Sequence, residues 1–145
     1  MENRKRLKIF LCILIVIFFL YHFRELNINK LVNFSSISSS DSLKVVILKR
    51  NTFLGEIVKQ KEITNRLECI KFIDDLKTYK LRRAFIKKGS DDVTQYFIGV
   101  KVNGNNIINL TVKGDNYIHV NRSIYTDYKI LKTTYNTDLL EKLLN

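Results

Sequence analysis

Residues 96–112 read Tyr96-Phe-Ile-Gly-Val-Lys-Val-Asn-Gly-Asn-Asn-Ile-Ile-Asn-Leu-Thr-Val112. Tyr96, Ile98, Val100 and Val102 alternate with Phe97, Gly99 and Lys101, the period-2 pattern of a half-buried strand. Asn103-Gly104-Asn105-Asn106 follows, a strong hairpin-turn signal. Ile107–Val112 then returns as a second strand. The stretch therefore predicts an antiparallel hairpin, and a hairpin must bury one face against something else.

Moving outward, the same period continues. Lys113-Gly114-Asp115-Asn116 is a turn, Tyr117–Val120 a strand, and Tyr128–Leu131 a further short strand. Upstream, Lys80–Lys88 reads as a strand followed by a Gly89–Asp92 loop. Leu43–Lys49 is rich in β-branched residues. Arg50-Asn51-Thr52 turns the chain toward a strand over Phe53–Lys59, with Gly55 as a bulge. Between these strands the period changes to 3.6. Ile63, Leu67, Ile70, Ile73 and Leu76 fall on one helical stripe flanked by Cys69 and Phe72, with Thr64 as the N-cap. Asp138–Leu144 adds a short terminal helix. The expected fold is α+β, a small antiparallel β-meander with one main helix and a short C-terminal helix.

A different signal precedes the domain. Ile9–Phe23 is an unbroken apolar run with Arg4, Lys5, Arg6 and Lys8 before it and Arg24-Glu25 after it. Fifteen helical residues span about 22 Å, short of a ~30 Å hydrocarbon core. Snorkelling by Lys8 and Arg24 lets Leu7 and Leu26 lengthen the buried segment. Tyr21-His22-Phe23-Arg24-Glu25-Leu26 supplies no small-residue cleavage site, so an uncleaved signal-anchor is expected rather than a removed signal. The preceding positive charges place residues 1–8 in the cytoplasm and the C-terminal domain outside it. The expected organisation is thus a basic region over 1–8, a transmembrane signal-anchor over 9–26, a Ser-rich flexible tether over 27–42, and an extracytoplasmic domain over 43–145.

The chain has 145 residues and a net charge of +11, with 46% hydrophobic and 11% aromatic residues, which excludes wholesale disorder. Residues 41–145 hold nineteen Lys/Arg against twelve Asp/Glu, a balance of +7. A basic surface near a membrane attracts anionic headgroups or wall polymers. The densest basic cluster is Lys80, Arg82, Arg83, Lys87 and Lys88, interleaved with Tyr79 and Phe85. Such a cluster could bind a polyanion, or could simply charge an edge strand against aggregation. An extracytoplasmic position argues against nucleic acid as the polyanion.

The titratable and nucleophilic residues form no recognisable catalytic constellation. His119 stands between Ile118 and Val120 and faces away from them, with no nucleophile elbow to complete a triad. Asp74-Asp75 lies among lysines on a helix, and Asp91-Asp92 in a loop without calcium-loop spacing. Cys12 and Cys69 lack partners for a disulfide or a metal site, and Cys69 reads as a small core residue. No cofactor, metal site or catalytic residue is therefore expected.

The order of elements, with Ile63-Thr64 opening a helix that carries Ile70 and Phe72, an antiparallel meander, then Tyr128-x-Ile130 and Thr137-x-x-Leu140-x-x-Leu143-Leu144, resembles the YhfM-like domains. These are small envelope domains of unknown function in Gram-positive (Firmicute) bacteria, carried on lipoproteins or single-pass anchors. The resemblance spans roughly residues 43–145 and implies the fold and an envelope location; it supplies no catalytic residues. This chain departs from the pattern in lacking a lipoprotein cysteine and any proline. The expectation is a single-pass membrane protein of the cell envelope whose non-enzymatic domain binds a protein or polyanionic partner. The alternatives are a small envelope enzyme with a site of ordinary residues, or a structural accessory subunit of a membrane complex.

Overall fold

The computed structural model describes residues 2–32, 34, 37–38, 40–84, 94–114, 116–121, 127–132 and 137–145. It bears out the α+β class: among the described residues an N-terminal apolar helix is followed by an open antiparallel sheet of eight strands with two further helices. Helix α1 runs Glu2–Phe23, and the two-residue strand β1 (Leu26–Asn27) leads into a 3-10 turn at Ile28–Lys30. Strands β2 (Leu43–Asn51) and β3 (Ile57–Ile63) precede α2 (Arg66–Lys77) and β4 (Lys80–Arg83). Strands β5 (Thr94–Val102), β6 (Asn105–Lys113), β7 (Tyr117–Val120) and β8 (Tyr128–Lys132) form the meander, and α3 (Thr137–Leu144) closes the chain.

The spatial order is β1-β4-β8-β7-β6-β5-β2-β3. The β5–β6 turn forms where the sequence predicts it but is confined to Asn103-Gly104, with Asn105 and Asn106 already in β6; Asn103 at φ 49° and Gly104 at φ 82° are the two left-handed positions of a type I′ turn. The β2–β3 turn differs from expectation. Asn51 Oδ1 accepts from the Phe53 and Leu54 amides at 2.9 and 3.2 Å, so Phe53–Gly55 belongs to the turn and β3 starts at Ile57. The irregularity in this ladder lies at Lys49/Arg50 instead of Gly55. A short polar side chain that bonds forward to the backbone has displaced the strand start.

Alternation along the strands gives the sheet two unlike faces. On the inner face Val45, Ile47, Ile98, Val100, Leu110, Ile118, Val120, Tyr128 and Leu81 are all buried. Helix α2 connects β3, at one edge, to β4, near the other, and so crosses this face. Its buried residues are Cys69, Phe72, Ile73 and Leu76, an i, i+3, i+4, i+7 stripe. The expected stripe is thus rotated: Leu67 is 78% exposed, Ile70 lies at the boundary, and Ile63 is the last residue of β3. The N-cap is Asn65 and not Thr64, its Oδ1 accepting from Leu67 and Glu68 amides at 2.9 and 3.3 Å. Two overlapping apolar stripes are present in the sequence, and packing against β2 and the 3-10 turn buries the Cys69–Leu76 one.

The segment expected to be a tether is largely structural. Leu26, Ile28, Val32 and Phe34 are buried core members, and β1 pairs antiparallel with β4 through Leu26↔Leu81 and Asn27↔Lys80. Asp41 and Ser38 are tied to the domain by Arg66, whose guanidinium donates to both carbonyls, and Asp41 Oδ1 accepts from Asn103 Nδ2 at 2.8 Å. The folded unit therefore begins at about Leu26. Leu26 is consequently unavailable to lengthen the apolar segment on that side. The helix gains its length at the other end, starting at Glu2; its 22 residues span about 33 Å. The portion Arg4–Phe23 is long and apolar enough to cross a membrane or to serve as a signal sequence, and none of it is buried in the domain.

Candidate functional site: a basic row on the open sheet face

The outer face of the sheet carries no helix among the described residues. Strand register aligns side chains across it in rows. Leu48, Phe97, Thr111 and His119 form one row, paired strand to strand. Arg50, Gln95, Lys113, Tyr117, Lys129 and Arg82 form the next. With strands about 4.8 Å apart, this second row extends about 24 Å across six strands. It gathers four cations from four separate sequence regions. Only Arg82 belongs to the cluster marked out by sequence; Arg50, Lys113 and Lys129 were missed because their proximity is a product of register.

These cations are not equivalent. Lys113 Nζ lies 2.9 Å from Asp127 Oδ1, in a pair with side-chain exposures of 18% and 1%. His119 Nδ1 approaches the same oxygen at 3.5 Å. Asp127 Oδ2 is buried and accepts no hydrogen bond among the described residues. The 2.9 Å charge-assisted contact outweighs the longer one, so Asp127 serves chiefly to neutralise Lys113 inside the sheet. Arg50, Lys129 and Arg82 form no ion pair among the described residues and supply the row's uncompensated charge. The Arg50 guanidinium is steadied by a 3.1 Å bond from Nε to the Gly55 carbonyl.

At the β4 end the row meets α1. Arg82 and Arg83 project to opposite faces of their strand. The Arg82 guanidinium lies 5.7 Å from the Phe23 ring centroid, and that of Arg83 lies 4.0 Å from the Tyr21 centroid. Arg83 Nη1 also donates to the Tyr21 carbonyl at 2.5 Å. That carbonyl belongs to the last turn of α1, where no backbone donor follows, so Arg83 acts as a C-terminal cap placed at the negative end of the helix dipole. Lys80 adds a 3.8 Å contact to Glu25. Two of the five residues singled out by sequence, Arg82 and Arg83, thus bind the N-terminal helix to the sheet, and Lys80 reaches the residue pair that follows it, while Lys87 and Lys88 lie outside the described residues.

The remaining candidates separate cleanly. Asp74 pairs with Lys77 at 2.7 Å on the solvent side of α2. Asp91 and Asp92 lie outside the described residues. Cys69 is fully buried with Sγ 3.2 Å from the Ile63 carbonyl, and burial pushes its thiol above the ordinary value. Its burial fits the core role expected of it. Among the described residues no group of three His, Cys, Asp or Glu side chains is placed to hold a metal ion. No family model, curated protein or solved structure matches the chain.

Proposed function

We propose that the chain is a single-pass membrane protein of the cell envelope whose domain binds a polyanion along its open sheet face and catalyses no reaction. In this reading α1 crosses the bilayer with residues 1–8 in the cytoplasm and the domain outside, as the flanking charges favour. The observation that carries it is the register-aligned row of Arg50, Lys129 and Arg82, which begins at the capped end of the apolar helix. Because β1 and two arginines hold the sheet to that helix, the row meets the headgroup layer, where phosphates are dense and Arg is a favourable partner. The resemblance to YhfM-like envelope domains agrees with this placement. A small-enzyme reading has one observation in its favour, the His119–Asp127 approach, but the shorter Lys113 contact claims that carboxylate.

The full chain in nanodiscs tests the proposal. Binding of soluble poly(glycerol phosphate), and retention of phosphatidylglycerol against phosphatidylcholine during delipidation, separate polymer from headgroup as the anion. Binding that falls steeply with salt and is lost in Arg50→Gln/Lys129→Gln/Arg82→Gln supports the reading. Indifference of both ligands to salt and to the triple substitution overturns it.

A further inference from the structure

Beside the basic row, the outer face holds a cleft of about 300 Å³ over β2, β5 and β6. This volume reaches the lower bound of small-ligand sites. Val46, Leu48 and Phe97 form its half-buried apolar floor, and Asn106, Asn109 and Asn121 stand around it. Gly99 lies among them: a Cβ there would lie 3.6 Å from Asn109 Oδ1 and 4.0 Å from Asn106 Oδ1, so the missing side chain leaves open the space between the two amides. The three Asn side chains are exposed and make no hydrogen bond among the described residues.

We infer that this cleft is a binding site for a neutral oligosaccharide, one or two sugar rings lying on the Val46–Leu48–Phe97 floor with their hydroxyls on the three carboxamides. The chemistry of the lining selects this ligand class. Each carboxamide offers a donor and an acceptor side by side, the pattern that neighbouring hydroxyls or an N-acetyl group present. An apolar floor with one aromatic ring suits the C–H face of a sugar ring. The lining holds a single cation, Lys101, and no carboxylate, too little charge for a phosphate polymer and no ligand set for a metal. An extended peptide binds by adding backbone bonds at a sheet edge. Strands β2, β5 and β6 are interior, paired on both sides, so no backbone edge is free at the cleft.

This site does not depend on the basic row, and its test is separable from that of the polyanion. Full-length protein in nanodiscs is titrated by isothermal calorimetry with the tetramer of β-linked N-acetylglucosamine, with maltotetraose, and with oligothymidylate as a charged control. The expected result is binding of at least one neutral sugar that is insensitive to salt and weakened at least tenfold by Asn106→Ala/Asn109→Ala. Gly99→Val fills the cleft floor while supplying a β-branched residue that suits a strand, so it should abolish sugar binding without lowering the melting temperature. Gly99→Ala provides the same measurement should the larger side chain disturb folding. Absence of binding by both neutral sugars overturns the inference. So does sugar binding that survives the folded Gly99 variants, or binding confined to oligothymidylate.

Discussion

Replacing Lys113 with Met tests whether the outer face is organised around a buried charge. Lys113 and Asp127 have side-chain exposures of 18% and 1%, and their charged atoms lie 2.9 Å apart. Met preserves much of the Lys113 stem, so packing changes little, but the Asp127 carboxylate is left in the sheet with only the 3.5 Å approach of His119. Breaking a buried pair in this way costs about 3–5 kcal/mol. His119 and the partial hydration of Lys113 place the expected value near the lower end, about 3 kcal/mol. For a domain of this size each kcal/mol lowers the melting temperature by roughly 3–6 °C, so a loss of about 9–18 °C is expected. Asp127→Asn alone should cost less, about 1–3 kcal/mol, because Lys113 can extend toward water. The double variant Lys113→Met/Asp127→Asn should then be more stable than the sum of the singles implies, by about 2 kcal/mol. Thermal unfolding of the four proteins in the same detergent measures this cycle. A melting temperature for Lys113→Met within about 3 °C of the parent, or strictly additive singles, would refute the reasoning.

Three further outcomes are expected. Arg83→Ala removes the cap on the Tyr21 carbonyl and the stacked guanidinium, so hydrogen exchange at the amides of residues 24–28 should accelerate while the β5–β6 hairpin is unaffected. Asn65→Ala deletes both N-cap bonds of α2 and should cost about 1 kcal/mol in denaturant unfolding, whereas Thr64→Ala should be close to neutral. The Glu141 carboxyl is held below its ordinary value of 4.5, first by the hydrogen bond from Lys49 and then by that from Tyr96. A depressed folded-state pKa contributes stability that is present above the unfolded value and lost as pH falls through the folded one. Stability should thus fall as pH drops below about 4.5, and Glu141→Gln should flatten that part of the profile in urea titrations between pH 6 and 3.

Local chemistry is legible in the sequence where neighbours along the chain decide the outcome. Asn103-Gly104 specifies its turn because both backbone positions require positive φ, and the Tyr96–Val102 alternation specifies a strand with one buried side. The apolar run at Ile9–Phe23 declares a helix fit for a membrane because no charge interrupts it. Where two local solutions compete, contacts remote in sequence decide. Thr64 and Asn65 are both acceptable caps, and α2 carries two apolar stripes that differ by a small rotation; packing on β2 and the 3-10 turn selects Asn65 and the Cys69–Leu76 stripe. The Ser-rich composition of residues 35–42 disguised the buried Leu26, Ile28, Val32 and Phe34, whose apolar character has meaning only beside β4.

The basic character of this chain was determined by its sequence, but the place of that charge was not. Sequence proximity groups Lys80, Arg82 and Arg83, and alternation along β4 then sends the two arginines to opposite faces, where both grip α1. Antiparallel register brings Arg50, Lys129 and Arg82 into one row, and sets Gly99 between Asn106 and Asn109. A sequence fixes which residues alternate along each strand, while the partners across strands depend on which ladder closes with which. That choice belongs to the tertiary structure, because each ladder bond satisfies a backbone group that lies far away along the chain.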